Sequence, residues 1–133
     1  MLEIEVIRLE GALGGLARED VEELCTLALA SAGMEDGHLA VQFVDENRMR
    51  EVNREHRGVD APTDVLCFPV DGNGDRAAPG PLELGDILVC PEQTGDEAEA
   101  VLHGALHLAG MDHEADDGEM LTLQREILGW QRG

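Results

Sequence analysis

Three histidines within eleven residues carry the clearest chemistry in this 133-residue chain. In the segment HGALHLAGMDH, His103 and His107 stand four residues apart, which on a helix stacks their side chains on one face. Two imidazoles so placed can reach a single ion. Gly110 suits the left-handed backbone that ends a helix and turns the chain, and His113 can then return a third nitrogen from the loop. Three neutral imidazoles leave one position of a tetrahedral ion open, the ligand set of a catalytic zinc rather than a structural one. The alternative is a histidine-rich helix end that merely complements the C-terminal dipole. It leaves the converging spacing unexplained.

The spacing is similar to that of the metzincin proteases, H-E-x-x-H-x-x-G-x-x-H. Gly104 stands where those enzymes carry the glutamate that acts as general base in peptide hydrolysis. Asp112 and Glu114 are close in sequence, but carboxylates beside a ligand histidine more often orient it than react. Peptide hydrolysis is therefore a minor alternative.

A second constellation is NREHRGVDAPTDVLCFP, residues 53–69. A guanidinium at Arg57 suits bidentate binding of a phosphate and stabilisation of charge in phosphoryl transfer. Pairing of Arg57 with Asp60 or Asp64, fastening the loop, has equal standing on chemistry alone. Thr63 and Asp64 are expected to pin the entry of a strand rather than react. Arg57 closes the one locally basic stretch, RMREVNREHR, where Arg48, Arg50 and Arg54 join it against only Glu51 and Glu55. These arginines are candidates for holding a polyanionic substrate, or else form a solvated helix face relieved by neighbouring acids. Cys25, Cys67 and Cys90 fall in apolar segments and read as small buried hydrophobes. His38 and His56 lack partners at ligand spacing and read as structural or solvated. Met120 reads as core packing.

The elements that must position these residues follow from periodicity. Residues 2–9 alternate as a half-buried strand, and 19–33 repeat as a helix stopped by Gly33. Residues 38–44 alternate again, with Leu39, Val41 and Phe43 on one face. Asp45 suits the N-cap of a helix over 46–56, with Met49, Val52 and His56 inward. Pro62 begins an apolar strand running to Val70, and residues 71–83 are Gly- and Pro-rich loop. A strand at 84–90, a helix over 95–109 and a last helix over 116–128 complete the chain. The expectation is one small α/β (α+β) domain spanning 1–133, a mixed four-stranded sheet with helices around it.

Composition narrows the function classes. Hydrophobic residues make up 43%, enough for a core, and no apolar run approaches the ~20 residues of a membrane span. Three scattered cysteines without a CxxC argue against a disulfide framework and for a cytoplasmic setting. Nine basic residues, all Arg, against 29 acids give a net charge of −20, which opposes nonspecific nucleic-acid binding.

The motifs N-x-x-x-R-G-x-D-x-P-T-D-V-L-x-F-P, L-G-D-I and H-G-x-L-H-L-x-G-x-D-H-E, in this order over roughly residues 38–128, strongly resemble the YbeY family of bacterial rRNA maturation factors. The resemblance implies a small zincin-like α/β sandwich with one zinc ion on His103, His107 and His113, and Arg57 as the active-site arginine. It implies a metal-dependent endoribonuclease acting on single-stranded RNA in 16S rRNA 3′-end maturation and ribosome quality control. The implied partners are ribosomal RNA and the small ribosomal subunit with its proteins, without DNA or membrane. The chain departs from the family pattern at Met111 and near His56, where aromatics are usual, and at Cys67, where serine is usual. Two other classes compete. One is a non-catalytic ribosome assembly factor with a structural zinc, the other a hydrolase of another substrate such as a peptide.

Overall fold

Two alternating segments and two short apolar runs form the strands of a single sheet, and the helical repeats lie against its two faces. The computed structural model describes residues 2–8, 15–70, 83–111 and 118–132. In chain order come β1 (Leu2–Arg8), α1 (Arg18–Ser31), β2 (Gly37–Phe43), α2 (Glu46–Arg57), β3 (Val65–Pro69), β4 (Glu83–Val89), a 3-10 turn at Pro91–Gln93, α3 (Glu97–Leu108) and α4 (Glu119–Arg132). The strand order is β1-β2-β4-β3. β1 and β4 each run parallel to β2, whereas β3 lies antiparallel to β4 at the edge. This is the mixed four-stranded α/β domain expected from the sequence.

Alternation divides the core between two faces. Leu39, Val41 and Phe43 of β2 and Ile87 and Val89 of β4 are buried against α1, α3 and α4. Leu66 and Leu88, at the intervening positions, pack with Val44 and Cys90 beneath Met49 and Val52 of α2. α3 approaches β4 closely because it presents Gly104 there: a Cβ at that position would stand 2.6 Å from Ile87 Cγ2. Met120 is fully buried in the larger core, as its sequence position suggests.

Local signals set several boundaries, the Asp45 cap as expected. Asp45 caps α2 by accepting the Arg48 N–H at 2.8 Å. Gly58, in the left-handed region at φ 71°, ends that helix. The structure departs from the sequence reading at three places. β3 begins at Val65, three residues after Pro62, because Asp64 Oδ1 takes the Val65 N–H at 2.8 Å and shapes an irregular entry. α4 continues past residue 128 and through Gly129 to Arg132. Its last turn is tied down where Gln131 Nε2 donates to Asp20 Oδ1 at 3.0 Å and Arg132 pairs with Asp96. His56, expected inward with Met49 and Val52, is exposed and meets the Phe68 ring edge-on, with centroids 4.9 Å apart. Residues 116 and 117, the expected start of the last helix, lie outside the described residues. Among the described residues no helix is long and apolar enough to cross a membrane.

Candidate active site

α3 places its histidines by simple helical repetition. Asp96 caps the helix, accepting the Glu99 N–H at 3.1 Å, and Glu99, His103 and His107 then recur every four residues along one face. The opposite face holds Leu102, Ala105 and Leu106 in the core, so the two imidazoles are half-buried at the protein's edge. Their Nε2 atoms stand 3.1 Å apart, and the rings meet edge to face with centroids 4.7 Å apart. Two nitrogens bound to one tetrahedral zinc at ~2.0–2.1 Å would lie roughly 3.4 Å apart. The observed separation is close to that, so this pair fits a shared ion with little rearrangement. The helix ends as the sequence suggests: Gly110 has φ 97°, and the Met111 N–H returns to the Leu106 carbonyl at 3.1 Å. His113 lies outside the described residues. Among those described, no group of three or more His, Cys, Asp or Glu forms a metal cluster.

His103 has a partner that the sequence reading missed. Gln124 of α4 puts Oε1 2.9 Å from His103 Nδ1, across 21 residues of chain, and is itself 6% exposed. The signal was present in the sequence. Gln124 falls on the inward stripe Met120, Gln124, Ile127, Leu128, where a polar residue has no packing reason to be.

The histidines open into a cleft of about 790 Å³ between α3, α4 and the β3 edge. Arg57, the last residue of α2, lines it, as do Asp64, Cys67, Asp96, Glu99 and Gln124. Among the described residues no carboxylate pairs with Arg57. The two fastening partners proposed for it serve elsewhere: Asp60 binds Arg50 in a fork at 2.8 and 3.1 Å, and Asp64 caps Val65. The Arg50 guanidinium holds the Asp60 carboxyl below its ordinary range. Arg48 pairs with Glu51 at 2.9 Å. Arg48 also lines a second cavity of about 330 Å³ beside His56 and Phe68 on the other side of the sheet. Arg54 is exposed on α2.

The loop that follows Arg57 is anchored by a second residue the sequence reading left without a role. Asn53, 2% exposed, donates from Nδ2 to the Ala61 carbonyl at 2.8 Å, and the Val59 N–H reaches back to the Asn53 carbonyl at 3.4 Å. Cys67 faces the cleft side of β3 and donates its thiol to the Gly104 carbonyl at 3.2 Å. Burial pushes that thiol up to about 12, so at neutral pH it stays protonated. Cys25 and Cys90 are buried, as expected.

The chain is similar to known proteins in sequence and in fold. A family model described as Endoribonuclease YbeY matches residues 15–130. The Endoribonuclease YbeY of Bacillus cytotoxicus is 40% identical over 82% of this chain and 83% of its own length. That of Rubrobacter xylanophilus is 36% identical over 98% of this chain and 96% of its own. Among solved structures, the solution structure of TM1509 from Thermotoga maritima is similar with a TM-score of 0.56 at 28% identity, covering 97% of this chain and 91% of that one.

Proposed function

The chain belongs to the endoribonuclease YbeY family, and from that premise we propose that its cleft cuts single-stranded ribosomal RNA with the help of one zinc ion. The endoribonuclease role rests on the family. The zinc and the substrate are proposed on the pair of Nε2 atoms 3.1 Å apart in a cleft that Arg57 also lines. His103 and His107 would hold the ion, with His113 as the expected third ligand. Zinc so held supplies a Lewis acid to a phosphoryl oxygen.

The chain's own groups do the rest. The Arg57 guanidinium, with no carboxylate paired to it among the described residues, is available to clamp the scissile phosphate and offset the charge that grows on it. A cleft of about 790 Å³ lies in the range of small-ligand pockets. It admits a short unpaired stretch of strand rather than a duplex, which presents a wide, rigid surface. With a net charge of −20, binding to naked RNA is expected to be weak. We therefore place the reaction on the small ribosomal subunit in the cytoplasm, at the 3′ end of 16S rRNA, where basic ribosomal proteins offset the repulsion.

The test is cleavage of a single-stranded RNA spanning a 16S 3′ end by zinc-loaded protein, beside His107→Ala purified in parallel. Cutting by the wild type alone supports the reading. Equal cutting by both identifies a contaminating ribonuclease. If neither cuts free RNA or RNA within small subunits, the catalytic reading fails and a non-catalytic assembly role takes its place.

A further inference from the structure

We propose that Gln124 is a positioning residue that selects which nitrogen of His103 is offered to a metal. Its Oε1, 2.9 Å from Nδ1, accepts the Nδ1 proton, and this leaves the Nε2 lone pair facing His107. The inference deepens the zinc reading above and rests on it for its metal consequence.

Three observations converge. Gln124 and Asn53 are the two buried polar side chains among the described residues, and each stands one link behind a site residue: Asn53 behind the loop after Arg57, Gln124 behind His103. A buried amide is costly unless it is hydrogen-bonded, and an apolar residue at 124 would fill the same stripe of α4 without that cost. The bond also crosses from α4 to α3, so it is a product of tertiary packing rather than of helix-local chemistry. An isolated neutral histidine favours the proton on Nε2. With no acceptor at Nδ1, His103 would therefore turn an N–H toward His107 and block the side from which an ion must be bound. An amide oxygen reverses that preference without adding a charge.

The experiment uses full-length, metal-free protein with 15N-labelled histidine. Long-range 1H–15N spectra identify the tautomer of His103 in the wild type, in Gln124→Met, which keeps length and packing but removes the oxygen, and in Gln124→Glu, which restores an acceptor. Zinc affinity is then measured for each by competition with a chromogenic chelator. The wild type and Gln124→Glu are expected in the Nδ1–H form and Gln124→Met in the Nε2–H form, with zinc bound roughly 10–100-fold more weakly by Gln124→Met and recovered in Gln124→Glu. A wild-type His103 protonated on Nε2, or the same tautomer and affinity in Gln124→Met, overturns the proposal. A wild type that takes up no zinc overturns the metal reading instead. The tautomers alone then decide the role of Gln124: a switch between wild type and Gln124→Met supports it, and no switch refutes it. A merely structural role would lower stability without moving the proton.

Discussion

His103 and His38 are held by neighbours of opposite character, and the difference separates the two sides of the sheet. His103, half-buried on α3, has a buried neutral amide against Nδ1. His38, on the other face of β2, stands between two exposed carboxylates: Nδ1 is 3.0 Å from Glu83 Oε2 and Nε2 is 3.4 Å from Glu5 Oε1. An amide oxygen selects a tautomer and leaves a lone pair for a ligand. Two carboxylates favour the ring with both nitrogens protonated, and a protonated ring cannot ligate a metal. Glu83, and to a lesser degree Glu5, accordingly raise the pKa of His38. The same residue type thus becomes a candidate ligand in one place and an ion-pair member in the other. The arginines divide in the same way. Arg50 and Arg48 are committed to Asp60 and Glu51, whereas Arg57 stands at the cleft without an ion pair among the described residues.

The largest effect expected from this division is at Arg57. Because the side chain is exposed, Arg57→Ala should leave the melting temperature nearly unchanged while kcat on single-stranded RNA falls ~10²–10³-fold, as for loss of one charge-stabilising donor. Arg57→Lys should recover little of it, since an ammonium lacks the bidentate fork. A variant that cuts normally would place Arg57 with Arg48 and Arg50 as a surface residue and collapse the comparison.

A smaller loss, in stability, is expected where the cleft side is most tightly built. Gly104→Ala drives a methyl to within 2.6 Å of Ile87 Cγ2, between α3 and β4 at the level of the histidines. Overpacking of this kind costs ~1–3 kcal/mol, readable as a lower urea midpoint at constant slope. If the substitution is neutral, the cleft side is looser than its distances indicate.

These sites also show how much was legible beforehand. The His103–His107 pair, the Asp45 cap and the Gly110 turn are local features set within a few residues, and the sequence sufficed for them. Gln124 was not found because its partner lies 21 residues away on another helix, although a lone polar residue on an apolar stripe marked the position. The alternative that pairs Asp60 with Arg57 fails for a similar reason. Gly58 turns the chain back along α2, and Asn53 fastens Ala61 there, so Asp60 lands beside Arg50, two turns before Arg57. Only the direction of the loop decides which arginine it meets. The last helix runs past its expected end at 128 because Gln131 and Arg132 override the stop that Gly129 signals, through contacts to Asp20 and Asp96.

On the opposite side, effects should be small and salt-sensitive. The Arg50–Asp60 fork is solvent-exposed, so Arg50→Ala is expected to lower the urea midpoint slightly at low salt, with the difference vanishing at high ionic strength. A loss that persists in high salt would show that this pair fastens the loop before β3 as firmly as Asn53 does.

The finest distinction is one of pH. Because the folded protein raises the pKa of His38 above its ordinary 6.5, protonated His38 favours the folded state. Its contribution is fully present below pH 6.5, where the ring is charged in both folded and unfolded chains, and is lost as pH rises through the folded value. His38→Gln should therefore melt below the wild type on the acidic side of neutrality and converge with it on the alkaline side. The gap should be narrow, since Glu5 and Glu83 are both exposed and the Glu5 contact is long. A gap that widens with pH would mean that the carboxylates do not hold a charged ring. His38 would then resemble His103, and the two faces of the sheet would no longer be chemically distinct.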